Sequence, residues 1–362
     1  MANLVFYRKY RPGIFADIID QDLIVKTLAS AITENKIAHA YLFCGPRGTG
    51  KTSASRVFAK AINCFNRKEK EFEPCNECES CKDINSSNSF DVIEMDAASN
   101  RGIEEVRNLK ENIKILPLKS KYKIFIIDEA HQLTDAACNA LLKVLEEPPA
   151  YAIFILATTN PEKMIPTILS RVQRFDFRRI TLDGLVNRLE HICKEEGIKY
   201  EIEALRLIGI NARGGMRDSE SILGQVATLD KSVTLAEVEA LIGSVDFQKI
   251  KSFVDLIISG DKEKCIKFIY DIDQAGFNLE EVNIGIINYL RKLALLNTSE
   301  ELEPMLRTEV TKEELVVLKE QAKALDNVKI QKLILAFLQA KNQISNSPIQ
   351  SLPLELAILE NL

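Results

Sequence analysis

The chain has 362 residues, 46% hydrophobic and 27% charged, which allows two or three domains with ordinary hydrophobic cores. Its formal net charge of −5 argues against a dedicated nucleic-acid-binding protein, because such proteins carry an excess of basic residues. The amino terminus becomes charged too early for a secretory signal, and no uncharged apolar run reaches the ~18 residues that span a membrane, so we expect a cytoplasmic protein.

Helix and strand patterns alternate up to about residue 179, which predicts a mostly parallel sheet covered by helices on both faces. The predicted elements are a helix at Leu23–Ile32, strands at Tyr41–Cys44 and Phe90–Met95, a helix at Ile103–Ile115, a strand at Lys123–Ile127, a helix at Thr134–Glu147 and a strand at Tyr151–Leu156. From about residue 180 onward the strand patterns vanish. Helices are predicted at Leu185–Glu195, Ile202–Asn211, Ser219–Ala227 and Leu235–Leu241, followed by longer ones.

A glycine-rich loop follows the first predicted strand and opens a helix, as a nucleoside triphosphate site requires. Glycines let backbone N–H groups approach phosphate oxygens, and the helix directs its positive end at them. We expect ATP or GTP here, with Lys51 on the β- and γ-phosphates and Thr52 on Mg²⁺. The alternative is a chance match in a surface turn. The predicted loop residues are Gly45, Pro46, Arg47, Gly48, Thr49, Gly50, Lys51, Thr52 and Ser53.

The strand at Lys123–Ile127 ends in an acid pair, at the sheet edge where ligands bind in α/β proteins. We expect Asp128 to hold Mg²⁺ through water and Glu129 to orient and deprotonate an attacking water. Two acids that merely cap the next helix are the alternative. After the next strand, a hydroxyl in Thr158-Thr159-Asn160 would reach the γ-phosphate or that water.

Two arginines stand out by their context in the sequence. Arg171 follows Pro166-Thr-Ile-Leu-Ser, and Arg217 follows a Gly-Gly-Met segment that opens a lid-like helix. A guanidinium stabilises the charge that spreads over a transferring phosphoryl group, and we expect this role for both. Taken singly, each is more typical of a surface or helix-capping arginine, and it is the combination with the other motifs that favours the catalytic role.

Four cysteines, Cys64, Cys75, Cys78 and Cys81, are spaced so that their thiolates can converge on one centre. Four thiolates form a closed tetrahedral site, so we expect a structural Zn²⁺ and not a catalytic one. An iron–sulfur cluster, unbound thiols and disulfides are the alternatives. Charged neighbours such as Glu73 and Glu77 indicate a solvated protrusion. The other cysteines are expected to be small core residues, namely Cys44, Cys138, Cys193 and Cys265.

The motifs together resemble the gamma/tau family of bacterial DNA polymerase III, the AAA+ ATPase motor of the sliding-clamp loader. Besides the phosphate loop and the cysteines, the resemblance rests on Tyr7–Pro12, Asp96–Asn100, Ile127–His131, Ala140–Pro149, Leu156–Thr159, Ile168–Arg171 and Met216–Asp218. It implies an α/β AAA+ P-loop domain with a five-stranded parallel sheet at 1–179, carrying a zinc insert at about 64–81. A helical lid at 180–243 and an all-α collar at 244–362, which oligomerises, complete the implied architecture.

The resemblance also implies residue roles and partners. Thr158 would be the sensor on the fourth strand, Arg217 the lid sensor, and Arg171 would reach into the neighbouring subunit's site. Arg11, Pro12 and Ile19 would line the adenine pocket. The cofactors would be ATP, Mg²⁺ and Zn²⁺. The partners would be copies of this chain, delta and delta-prime type subunits, the sliding clamp and primed DNA, with no membrane.

Two departures from the family pattern matter. Val172 stands where the family has the cysteine of a Ser-Arg-Cys triplet. The sequence ends at Leu362, where the collar should end, so it resembles the short family product, and we do not expect direct contact with the polymerase or helicase.

Three rival functions remain. The string Asp128–His131 matches the DEAH motif of a helicase group, which would need a second sheet domain. A non-hydrolysing scaffold subunit would be expected to have a damaged phosphate loop. A zinc-based nucleic-acid module disagrees with the net charge, although Arg101 and Arg107 are candidates to face DNA.

Overall fold

The computed structural model describes residues 5–99, 111–229, 232–242, 247–306, 310, 312–345 and 347–362. It divides into two compact units, Met1–Val233 and Thr234–Leu362. The predicted helix at Ile103–Ile115 lies mostly outside the described residues, although residues 111–114 are helical. Asn100, Arg101 and Arg107 also lie outside them.

A five-stranded parallel sheet forms the centre of the first unit, in the order β2-β3-β4-β1-β5. The strands are β1 Ala40–Cys44, β2 Val92–Asp96, β3 Lys123–Asp128, β4 Ala152–Thr158 and β5 Gln173–Asp176. This confirms the five-stranded α/β fold. Because β4 lies between β1 and β3, the loops that follow these three strands lie side by side at one edge.

Both faces of the sheet are buried, as the nearly continuous apolar strands require. Tyr41 and Phe43 of β1 pack on one face with the helices Asp22–Thr33 and Lys51–Asn63. Leu42 and Cys44 face the opposite side, where the helix Asp135–Glu146 packs.

The helix Asp135–Glu146 begins at the predicted cap, because the Thr134 hydroxyl accepts the N–H of Ala137 at 3.3 Å. The other helices of the first unit are Phe6–Lys9, Asp22–Thr33, Lys51–Asn63, Glu79–Asn85, Pro166–Leu169, Leu182–Glu196, Ile202–Asn211 and Met216–Leu229. Short 3₁₀ turns lie at Phe15–Asp17, Ala130–Gln132 and Pro161–Lys163. The predicted helices that fall among the described residues are therefore confirmed.

The prediction that strands end near residue 180 is wrong in one detail. Lys199–Tyr200 pairs in parallel with Ser232–Val233. Strands of two residues are too short to produce an alternating hydrophobic pattern.

In the second unit, every element that the structure describes is helical. The helices are Leu235–Ile242, Phe247–Ser259, Lys262–Gln274, Leu279–Thr298, Glu303–Leu306, Lys312–Ala324, Asn327–Ile344 and Leu352–Asn361, with a 3₁₀ turn at Glu300–Leu302. They enclose a hydrophobic core of their own. The helix Leu235–Ile242, which the sequence assigns to the lid, lies in this unit. Among the described residues, no helix combines the length and the apolarity needed to cross a bilayer.

Candidate active site

The phosphate loop connects β1 to the helix Lys51–Asn63, and two of its glycines are required by close backbone packing. A Cβ added at Gly45 would lie 2.4 Å from the carbonyl oxygen of Phe177. Gly48 has φ +77°, and a Cβ there would lie 2.9 Å from the Cα of Gly215. In the same region, the Met216 N–H donates to the Gly48 carbonyl at 2.9 Å. The phosphate loop therefore lies directly against the start of the helix Met216–Leu229.

Lys51 is buried, with only 6% of the residue exposed. Its ammonium donates to the carbonyls of Gly45 at 2.7 Å and Pro46 at 2.8 Å. Burial lowers the pKa of Lys51, while the nearby carboxylates of Glu129 and Asp128 oppose that shift. The cationic head is thus held inside the loop, and anionic oxygens near it would favour its charged form.

The hydroxyl of Thr52 donates to a carboxylate oxygen of Asp128 at 2.7 Å, which joins the phosphate loop to the end of β3. The other oxygen of Asp128 accepts the N–H of Glu129 at 2.9 Å. A hydroxyl and a carboxylate at this separation are oxygen ligands of the kind that Mg²⁺ prefers, so the donor set fits the metal that the sequence predicts. The two acids do not cap a helix with their side chains in these contacts.

The hydroxyl beside Glu129 belongs to Thr159, which donates to the Glu129 carboxylate at 3.0 Å. Thr158 is fully buried, and its hydroxyl contacts His131 Nδ1 at 3.0 Å and accepts the N–H of Asn160. Of the two hydroxyls in the predicted Thr158-Thr159-Asn160 segment, the one on Thr159 therefore lies at the acid pair and the one on Thr158 lies at His131. The sequence alone does not give the direction of each side chain, because that depends on how β4 pairs with β3 and β1.

A cavity of about 290 Å³ opens beside these residues. Its walls come from the N-terminal segment, the phosphate loop with the acid pair, strand β2 and the lid region. The lining residues are Tyr7, Arg11, Pro12, Asp17, Ile18, Ile19, Arg47, Gly48, Thr49, Gly50, Lys51, Thr52, Ser53, Glu94, Asp128, Glu129, Ile180, Arg188, Met216, Arg217 and Glu220. The structure thus brings Arg11, Pro12 and Ile19 to the same cavity as the phosphate loop.

Arg217 lies at this cavity, with its guanidinium carbon 4.8 Å from the ring centroid of Tyr7. A hydrogen bond from Arg217 lowers the pKa of the Tyr7 hydroxyl. The lid arginine is therefore paired with an aromatic residue of the N-terminal helix, a contact that no local sequence pattern indicates.

Glu220 is a second cavity residue that sequence reasoning missed. It is 4% exposed, and its carboxylate lies 3.5 Å from Nε of Arg188. Burial raises the pKa of Glu220 to about 7, although Arg188 acts in the opposite direction. A glutamate one turn into a helix ordinarily reads as a solvated residue, so only the packing of two helices reveals it.

Arg171 does not line the cavity of its own chain. Its guanidinium donates to Glu146 at 2.9 Å, to the Thr167 carbonyl at 2.8 Å and to the Ser170 hydroxyl at 3.0 Å. About a third of its side chain is exposed. Contacts within its own chain therefore fix Arg171 at the surface, where part of its side chain remains exposed to solvent.

The four predicted cysteines form one cluster, with all four sulfur atoms within 4.8 Å of one another. A tetrahedral site with Zn–S bonds of about 2.3 Å needs sulfur atoms a little under ~4 Å apart, so the cluster fits a zinc ion with small adjustments. Backbone N–H groups of Cys78 and Glu77 donate to the Cys75 sulfur. Burial raises the pKa of Cys75, but those N–H groups outweigh it and bring the pKa down to about 7. The four remaining cysteines are buried, as predicted.

The insert that carries the cluster is not wholly a solvated protrusion. Glu73 is only partly exposed, because its carboxylate accepts backbone N–H groups of Phe15 and Ala16. Glu77, by contrast, is exposed as expected. A carboxylate bound by a distant loop cannot be distinguished from a solvated one by composition alone.

Family models match three consecutive parts of the chain. Residues 20–181 match the DNA polymerase III delta subunit, and residues 185–229 match the ATPase lid domain of the DNA polymerase III clamp loader subunit. Residues 233–361 match domain III of the DNA polymerase III subunits gamma and tau.

Curated relatives agree with these matches. DNA polymerase III subunit tau of Bacillus subtilis is 42% identical over 84% of this chain and 54% of the relative. DNA polymerase III subunit gamma/tau of Mycoplasma pneumoniae is 41% identical over 81% of this chain and 42% of the relative. The chain spans about half the length of the curated relatives that it matches.

Among solved structures, the Bacillus subtilis DNA clamp loader delta protein superposes with a TM-score of 0.40 at 12% identity, covering 92% of this chain and 98% of that one. The family matches and the curated relatives together determine the assignment. The chain belongs to the DNA polymerase III gamma/tau family of clamp-loader AAA+ ATPases.

Proposed function

We propose that this chain is the ATP-hydrolysing motor subunit of a DNA polymerase III clamp loader, which loads a sliding clamp onto primed DNA. The observation that carries the proposal is the 2.7 Å contact between Thr52 of an intact phosphate loop and Asp128, with Glu129 next to it in one cavity. These are the groups that position a triphosphate, a metal ion and a water for phosphoryl transfer.

Each residue has one role in this proposal. The N–H groups of Gly48 and Gly50 and the ammonium of Lys51 hold the phosphates, while Thr52 and Asp128 hold Mg²⁺, which neutralises developing charge when bound. Glu129 orients the attacking water and accepts its proton. Arg217 contacts the phosphates from the lid, and Arg171 completes the site of a neighbouring subunit.

The remaining roles follow the same scheme. Arg11, Pro12 and Ile19 hold the adenine ring, and Thr158 acts through His131 rather than by touching phosphate. Cys64, Cys75, Cys78 and Cys81 hold one structural Zn²⁺. The ATPase, lid and collar regions extend over 1–179, 180–243 and 244–362.

Binding and hydrolysis of ATP then control an assembly. We propose that copies of this chain form a ring with delta and delta-prime type subunits in the cytoplasm, at the replication machinery on the nucleoid. The ATP form opens the sliding clamp, and hydrolysis on primed DNA closes it. An arginine supplied by a neighbour makes hydrolysis depend on the geometry of the interface.

Two rivals are less well supported. A DEAH helicase needs a second sheet domain, whereas all described elements after Val233 are helices. A non-hydrolysing scaffold does not need Glu129, which is present and held by Thr159.

The decisive experiment measures ATPase activity of the chain alone, in the assembled ring, and in the ring with primed duplex and clamp. We expect strong stimulation only when DNA and clamp are both present. Steady strand displacement by the purified protein would instead support a helicase. Absence of turnover under every condition, with intact ATP binding, would support a scaffold.

A further inference from the structure

The cysteine insert contacts the segment that forms one wall of the candidate nucleotide cavity. Arg11 and Pro12 line the cavity, and so do Asp17, Ile18 and Ile19. Three of the four residues between these two groups, Gly13, Phe15 and Ala16, are bound by side chains of the insert. The cavity wall is therefore attached to the insert through the turn in its middle.

Glu73 makes the strongest of these contacts. Its two carboxylate oxygens accept the N–H of Phe15 at 2.7 Å and the N–H of Ala16 at 2.9 Å. These are the first N–H groups of the 3₁₀ turn Phe15–Asp17, where a carboxylate is especially favourable. The ring of Phe72, the preceding residue, also lies 6.0 Å from the ring of Phe15, which is buried in the core.

A buried lysine connects the phosphate-loop helix with both the cavity wall and the insert. Lys60, on the phosphate-loop helix, is 2% exposed and donates to the Gly13 carbonyl at 2.8 Å and to Asn76 Oδ1 at 2.6 Å. It also donates to Asn85 Oδ1 at 2.9 Å. Asn76 in turn donates to the Gly13 carbonyl at 3.1 Å.

The position of Asn76 depends on the cysteine loop. It lies between Cys75 and Cys78 and has a left-handed backbone, with φ +57°. Asparagine adopts this conformation more readily than most residues, and the N–H groups of the next two residues, Glu77 and Cys78, donate to the Cys75 sulfur. Asn76 therefore contacts Gly13 from the same turn that carries the Cys75 and Cys78 thiols of the cluster.

We propose that the cysteine insert positions the wall of the ATP cavity, so that a metal ion in the cluster and a nucleotide in the cavity strengthen each other's binding. This inference rests on the proposed ATP binding. With the metal bound, Glu73 and Asn76 hold Gly13–Ala16 in place, and the flanking residues are preorganised for the base. By linkage, a bound nucleotide must stabilise the metal-bound insert by the same factor.

The first test compares two glutamates of the insert in the full chain. Glu73→Gln removes the charge and replaces one carboxylate oxygen with an NH₂ group, so the side chain can accept only one of the Phe15 and Ala16 N–H groups. We expect the dissociation constant for ATP and the KM to rise about tenfold, while kcat stays within about twofold of wild type. Glu77→Gln changes an exposed carboxylate in the same loop and should leave both unchanged. Zinc content, from elemental analysis, should equal wild type in both variants.

The second test measures the reciprocal effect of nucleotide on the metal, in wild type and in the same two variants. Metal release to a chromogenic chelator is followed with and without saturating ADP, which binds without being hydrolysed. We expect ADP to slow release from wild type and Glu77→Gln about tenfold, and to slow release from Glu73→Gln much less.

The outcomes separate this inference from the proposed function. If wild type binds no ATP, both are overturned. If wild type binds ATP but Glu73→Gln with full zinc binds it equally well, only the coupling is overturned. If ADP leaves metal release from wild type unchanged, the coupling is likewise wrong, whatever the variant does.

Discussion

At the scale of single residues, Lys51 and Glu129 lie in one cavity but have separable roles. Lys51 is buried inside the phosphate loop, so Lys51→Ala removes the positive charge that holds the phosphates. In the proposed mechanism Glu129 acts on the water, so Glu129→Gln should keep ATP binding and lose turnover by a factor of about 10² or more. Calorimetry with Mg-ATP and single-turnover hydrolysis measure the two effects. Equal loss of binding in both variants would contradict these roles.

The Thr159 hydroxyl lies 3.0 Å from both a Glu129 carboxylate oxygen and Asn160 Oδ1, and we expect its effect on turnover to come from the contact with Glu129. Thr159→Val keeps the shape of the side chain but removes the hydroxyl that donates to the Glu129 carboxylate at 3.0 Å. We expect kcat to fall about tenfold with little change in ATP affinity, because only the orientation of the base is disturbed. In a Glu129→Gln background the same substitution should have almost no further effect. An additive loss in the double variant would show that Thr159 acts elsewhere.

Glu220 should give the fold a pH dependence of its own. Burial raises its pKa from the ordinary 4.5 to about 7, so the folded protein holds a proton that the unfolded chain has lost in this range. The free energy of unfolding therefore falls as pH rises from about 4.5 to 7. Above pH 7 the whole decrease, roughly 3 kcal/mol, is present. Glu220→Gln cannot ionise and should escape this loss.

Thermal unfolding of the first unit at pH 5 and pH 8 measures the effect. The stability of Glu220→Gln relative to wild type should be greater at pH 8 than at pH 5. Altering the contact with Arg188 changes stability equally at both pH values and does not affect this comparison. Glu195→Gln, at an exposed position, is the control and should follow wild type. Parallel pH profiles for Glu220→Gln and wild type would refute the buried-carboxyl interpretation.

At the scale of elements, the sequence predicts the features that depend on neighbouring residues and misses those that depend on contacts between distant segments. The buried strands β1, β3 and β4 and the helix capped by Thr134 follow from apolar runs and local capping, and they are confirmed. The strand Gln173–Asp176 has mostly exposed residues and shows no such run. The contacts of Tyr7, Thr159 and Glu220 join segments distant in sequence, which no local pattern encodes.

The cysteine insert is the element whose metal content can be measured directly. We expect about one zinc per chain by elemental analysis, because the four converging sulfur atoms leave no open ligand position. Cys75→Ser should lower zinc content sharply, whereas Cys193→Ala, in a lid helix far along the sequence, should retain it. Iron in place of zinc would overturn the assignment.

At the scale of the whole molecule, the role proposed for Arg171 implies that a second subunit would complete the catalytic site. The cavity of one chain contains the phosphate loop, the acid pair and Arg217, but Arg171 is not among its lining residues. Arg171 is instead fixed at the surface by Glu146, which orients a cationic group without neutralising all of its donors. A charge presented in this way can complete the site of a neighbour and make turnover depend on assembly.

Arg171→Ala should therefore separate the isolated chain from the assembled ring. In the isolated chain we expect ATP affinity within about twofold of wild type, because the guanidinium does not line that cavity. In the ring, kcat should fall by a factor of about 10² or more, the effect of removing an arginine that stabilises transferring phosphoryl charge in trans. Arg174→Ala, which removes another exposed arginine paired with an acid, is the matched control and should change neither. An equal loss of ATP affinity in the isolated Arg171→Ala chain would place the arginine in its own site, and regulation of hydrolysis by the interface would then need another residue.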